Sequence, residues 1–157
     1  MTTYTIEAID PTSVKQLLIS DDVRFSVDHE GGSPLRCCLR YAEPGEHVAL
    51  ASYRPLRRWA EETGAEPGPY DECGPVFVHA DGCPQPVASK PYAGAPRHHT
   101  FRKYAADGHI LGGRLIGADE EHERVLADMF ADDEVALVHV RAVEFGCFFY
   151  AARRTTQ

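Results

Sequence analysis

The sequence predicts an α+β protein, a single domain over residues 1–157 with a mostly antiparallel twisted sheet, two main helices and a long proline-rich segment. Three observations carry that reading. Short alternating or β-rich runs joined by turn residues recur from VRFSVD at 23–28 to the two runs flanking EFG at 144–146. Helical spacing of apolar residues is strongest in two stretches, DPTSVKQLLIS and ADEEHERVLADMFAD. Eight of the eleven prolines lie between Arg54 and Pro96, a density incompatible with long helices or central strands there.

Each element has a local reason. Asp10 caps the first helix, Pro11 occupies its first position, and Val14, Leu17 and Leu18 form its apolar stripe. VRFSVD alternates Val23, Phe25 and Val27 with Arg24 and Ser26, the pattern of a half-buried strand with an apolar inner face. In SPLRCCLRYAEPGEHVALASY, residues 33–53, EPGE is a type II turn, with Pro44 fixing φ and Gly45 taking the positive φ. The hairpin it predicts pairs Tyr41 with Val48, Leu39 with Leu50, Cys38 with Ala51 and Arg36 with Tyr53. Strand neighbours point to opposite faces, so Cys37 is expected in the core and Cys38 among Arg36, Arg40 and Tyr53, with no shared metal.

Within the proline-rich excursion, 54–98, LRRWAEET predicts a short helix ending at Gly64, and Val76 to His79 are placed in a sheet. A segment so long and irregular is expected to line a site or cover an open face. Asp107 and Gly108 predict a type I′ hairpin turn. Asp119 is expected to cap the second main helix, whose stripe is His122, Val125, Leu126, Met129 and Phe130. The closing hairpin, at the centre of the sheet, is expected to pair Arg141 with Phe149 and His139 with Ala151, bringing His139, Arg141, Cys147 and Phe149 to one face.

Composition excludes several functions. A net charge of −8 with a pI near 5.4 argues against nucleic acid. The first residues show no signal-peptide pattern, and no apolar run approaches twenty residues, so a cytoplasmic protein without a membrane partner is expected. Five cysteines in a reducing compartment are expected as free thiols. Nucleotide-binding and hydrolase signatures, including Gly-x-Gly-x-x-Gly, Gly-x-Ser-x-Gly and His-Glu-x-x-His, are absent, and no cofactor is expected. Cys73, His79 and Cys83, with Asp81 nearby, fit no standard zinc spacing, and no metal is assigned.

What remains is a set of thiol, imidazole and guanidinium groups on the predicted strands. Cys38 lies among arginines that lower a thiol pKa. His79, His139, Cys38 and Cys147 are the candidate catalytic groups, with Arg36, Tyr53, Tyr70 and Arg141 as substrate-binding residues.

Three stretches, PLRCCLRYAEPGE at 34–46, PYDECGPVFVHA at 69–80 and GCFFYAARR at 146–154, resemble in order the motif blocks of a bacterial family known only as a domain of unknown function, number twelve-oh-three. The likeness spans about Pro34 to Arg153. It adds weight to Arg36, Tyr70, Gly146 and Cys147, which match the family pattern, whereas Leu35 stands at a usual cysteine and His79 at a frequent arginine. The resemblance implies no established activity. The functional expectation is a small-molecule enzyme without a nucleotide cofactor, acting on an anionic or polarised aromatic substrate held by arginines. The alternative is a non-catalytic accessory protein that binds a ligand or another protein; homo-oligomerisation is left open.

Overall fold

The computed structural model describes residues 3–94 and 97–155. Its strands divide between two mostly antiparallel five-stranded sheets rather than forming one, and the fold class is α+β. Contacts within the chain group it into two units, one of Met1–Glu7, Arg54–Cys73 and Pro96–Gln157, the other of Ala8–Tyr53 and Gly74–Ala95. No helix among the described residues is long and apolar enough to cross a membrane.

The first unit holds β1 (Tyr4–Glu7) and, from the excursion, a short helix (Arg57–Thr63) and a 3-10 turn (Gly68–Tyr70). The short helix stops where the sequence places its end, at Gly64 with φ 78°. The rest of the unit is two hairpins and a helix. His99–Ala105 and Ile110–Ile116 form one hairpin, His122–Phe130 the helix, and Val135–Arg141 and Phe148–Arg154 the closing hairpin. Val135–Arg141 is the middle strand of its sheet, as its apolar run requires.

Three local expectations are corrected in this unit. At 105–109 Gly108 has positive φ but Asp107 does not, and Ala105 O accepts from Gly108 N. The turn is therefore a type I turn followed by a left-handed glycine, not type I′. The helix begins after Glu121 rather than Asp119, because Glu120 instead folds back to accept from Gly117 N. In the closing hairpin His139 does face Ala151, but a bulge between Phe148 and Tyr150 puts Phe148, not Phe149, opposite Arg141. The apolar stripe of Val125, Leu126, Met129 and Phe130 is buried. Arg154 donates to the carbonyls of Phe130, Asp132 and Val135 and so closes the helix C-terminus, where a cation is favoured.

The second unit starts with α1 (Pro11–Leu18), capped by the Asp10 carboxylate, which accepts from Ser13 N at 2.9 Å. Its sheet comprises β2 (Arg24–Asp28), β3 (Pro34–Leu35), β4 (Arg40–Tyr41), β5 (Glu46–Tyr53) and β6 (Gly74–His79), in the order β2-β5-β6-β3-β4. The EPGE turn forms, with Gly45 at φ 89° and Glu46 N donating to Glu43 O. The predicted 36–53 hairpin does not: β5 pairs with β2 on one side and β6 on the other, leaving no edge for 36–41. β2 is not half-buried either. As the edge strand it exposes Phe25 at 58% and Val27 at 37%.

Burial sets a pH response in the first unit. His99 is enclosed beside His122 and Phe149, with ring centroids 5.0 and 5.2 Å away. Burial lowers its pKa to about 4, and the charges of His122, His98 and Arg97 push the same way. The unfolded chain takes up this proton first, so stability is full above about pH 6.5 and falls as pH drops towards 4. Urea unfolding followed by Trp59, the sole tryptophan and part of this unit, should show His99 alone removing about 2 kcal/mol between pH 7.5 and 5. His99→Phe should flatten that slope by the same amount.

Candidate metal centre

The second unit brings four ligand-bearing side chains together. Leu35 runs parallel to Phe77 of β6, and Arg36 N donates to Phe77 O at 2.9 Å, fixing where the chain leaves β3. Residues 36–39 then turn back to β4, closed by Leu39 N donating to Leu35 O at 3.0 Å with Leu39 at φ 60°. Side chains on such a turn do not alternate as on a strand. Cys37 and Cys38 therefore approach the same imidazole, their sulfurs 3.2 and 4.0 Å from His79 Nδ1.

His79 ends β6, opposite Val48. The chain then reverses through Gly82, whose φ of 87° suits glycine, and brings back Cys83. The ligand atoms of Cys37, Cys38, His79 and Cys83 all lie within 4.8 Å of one another. Tetrahedral zinc with three sulfurs and one nitrogen separates its ligands by about 3.5–3.8 Å, given its ordinary bond lengths, so only small side-chain adjustments would close this set on an ion.

The surroundings fit a metal as well. Glu46 Oε1 lies 3.2 Å from His79 Nε2, and Glu46 Oε2 accepts from Glu43 N at 2.8 Å. A carboxylate on the far imidazole nitrogen directs Nδ1 to act as a ligand, the usual outer partner of a metal-bound histidine. His79 N points to Cys37 Sγ at 3.4 Å, and the amides of Arg40 and Gln85 support Cys38 and Cys83. These N–H groups stabilise sulfur anions.

The thiols share their protons unevenly. Cys37 beside it lowers the Cys38 pKa to about 6, assisted by the Arg40 amide and the His79 charge and opposed by burial. Cys37 is pushed up by the Cys38 interaction and by burial, and Cys83 is raised mainly by burial.

The expectation that Cys37 and Cys38 cannot meet at one ion is thus overturned, because the strand it assumed is a turn. Cys38 and His79 are brought together as candidate residues, but they are 0% and 5% exposed, which suits a closed metal centre better than a nucleophile. Arg36, also buried, donates from Nη1 to Pro34 O, and Tyr53 pairs with Gly74 at the end of β5. The other candidates belong to the first unit. His139 is fully buried between the rings of Tyr104 and Phe148. Arg141 Nη1 lies 2.6 Å from Glu72 Oε1, Cys147 leans on Phe145 O, and Tyr70 is exposed in the 3-10 turn. Cys73, grouped with His79 and Cys83 by sequence proximity, is exposed and lies in the first unit. Sequence reasoning missed Cys37 and Glu46 as parts of a site. The signal present in the sequence was only the nearness of His79 and Cys83, which matches no standard Cys–Cys or His–His spacing of a zinc site.

With fold and centre in view, the family can be placed. The chain matches over residues 32–154 the model described as a protein of unknown function (DUF1203), and it belongs to that family. No curated protein and no solved structure matches it.

Exposure predicts the order of thiol reactivity. In the metal-free folded protein an alkylating reagent should modify Cys73 first and the half-buried Cys147 and Cys83 more slowly, sparing Cys37 and Cys38 until unfolding. Mass spectrometry of digests at increasing times would measure that order.

Proposed function

We propose that this chain is a zinc-binding protein whose Cys37, Cys38, His79 and Cys83 enclose one ion in a closed, structural centre. The observation that carries the reading is the convergence of three sulfurs and one imidazole nitrogen within 4.8 Å in a largely buried place. A soft, sulfur-rich tetrahedral set selects zinc over the oxygen-seeking magnesium and calcium. Four protein ligands leave no open position for water or substrate, so the metal shapes the chain rather than activating a reactant. A reducing cytoplasm would keep the thiols available.

The segment after Cys83 hangs on the same turn. Ala88 N donates to Cys38 O at 2.9 Å, Tyr92 N to Leu39 O at 2.8 Å, and the Tyr92 hydroxyl to Leu35 O at 2.9 Å. An ion joining the 36–39 turn to Cys83 would therefore order residues 83–94.

Protein purified without chelator should carry one zinc per chain by plasma mass spectrometry. Cys38→Ser and His79→Ala should each abolish that stoichiometry, while Glu46→Gln should retain zinc but bind it about 10–100-fold more weakly. Removing zinc should accelerate hydrogen exchange at the Ala88 and Tyr92 amides. A chain that holds no zinc and takes up none at micromolar concentrations would refute the reading.

A second reading concerns the first unit. Arg102 and Arg141 each place Nη1 on Glu72 Oε1, at 3.0 and 2.6 Å, so two guanidiniums share one carboxylate. The surplus charge favours an anionic ligand, such as an aromatic carboxylate, at the solvent side of Arg102 and Glu72, which are both partly exposed. Calorimetric titration with benzoate should then saturate, with Arg141→Gln weakening it at least tenfold; no saturable heat would end this reading.

A further inference from the structure

The edge strand β2 lacks several of the devices that usually protect a sheet edge, its only charges being Arg24 and Asp28 at its two ends. It contains no proline or lysine, its register with β5 runs unbroken from Arg24 to Asp28, and it exposes Phe25 and Val27 together. Its other side has no strand partner among the described residues. Such an edge is a template for one more strand.

The sequence of this strand identifies which. RFSVD is self-complementary when read antiparallel about Ser26: Arg24 meets Asp28 of a second copy, Phe25 meets Val27, and Ser26 meets itself. Opposite charges and apolar side chains directly across a strand pair each stabilise the pairing. Shifting the two-fold axis by one residue either way loses the Arg24–Asp28 match, setting Arg24 against Ser26 or Ser26 against Asp28. Asp28 is already fixed in place, its two oxygens accepting from Gly31 N and Ser33 N at 2.9 Å, and a carboxylate has further lone pairs for a guanidinium.

We propose that β2 pairs antiparallel with β2 of a second copy of this chain, in the register centred on Ser26, forming a two-fold dimer through a continuous ten-stranded sheet. Isologous contact of this kind closes on itself and does not propagate. With only five residues a side it is a weak dimer, dependent on concentration and salt. The proposal is independent of the metal centre.

Sedimentation velocity across a concentration series at low salt should show a monomer–dimer equilibrium. Arg24→Asp, which sets like charges across both ends of the pair, and Val27→Lys should each weaken it at least tenfold; both positions are exposed, so folding should be unaffected. Ser26→Cys should form a disulfide-linked dimer under mild oxidation, because that residue lies on the two-fold axis. Arg24→Cys should not, since its copies are about 14 Å apart along the strands. A chain that stays monomeric at the highest concentration overturns the proposal. So does a dimer indifferent to Arg24→Asp in which Ser26→Cys fails to cross-link.

Discussion

The second unit depends on one turn, 36–39, whose last residue adopts a conformation that leucine seldom visits. Leu39 at φ 60° carries a cost of about 1–2 kcal/mol and persists only because its surroundings overdetermine it. Its side chain is fully buried, its amide bonds to Leu35 O, and its carbonyl accepts from Tyr92 N. Tyr92 is itself left-handed at φ 53°, so the two strained residues are tied by a hydrogen bond. From this turn follow the convergence of Cys37 and Cys38, the parallel β3–β6 pairing and the path of residues 83–94.

Sequence patterns recovered what is locally encoded. The Asp10 cap, the helix ending at Gly64, the buried stripe of His122–Phe130 and the pairing of His139 with Ala151 each follow from a few neighbouring residues. What failed was partner choice. The EPGE turn was legible, but whether β5 would pair with 36–41 or with β2 and β6 depends on strands far apart in the chain. One wrong pairing then carried through to chemistry, because face assignment on a presumed strand separated two thiols that a turn unites. The single residue that signals the error is Leu39, and nothing about a leucine announces positive φ.

Three thiols around an imidazole are a poor way to fill a core. A thiol donates weakly, and the arrangement requires Cys38 to lose its proton readily beside a Cys37 that keeps its own. Packing alone would be served better by valine or alanine, as at Val48, Ala49 and Val78 in the same sheet. The amides aimed at sulfur and the Glu46 carboxylate behind His79 make sense together if the four groups answer to a common cation, and each is an added constraint if they do not.

The two units also differ in what else could stabilise them. The first is filled by large side chains, including Phe101, Tyr104, Phe130, Phe148 and Tyr150, packed through its sheet. The second has a core of smaller residues, chiefly Val14, Leu17, Leu35, Val48, Ala49, Ala51, Val76 and Val78, with Tyr92 its main buried aromatic. Its residue span is under the roughly 80 residues below which one core seldom supplies enough stability by itself. Two of its strands, β3 and β4, have only two residues each, too short to specify their own register. A cross-link at their connecting turn would act where the strands are too short to hold their own register, and the candidate centre occupies that position.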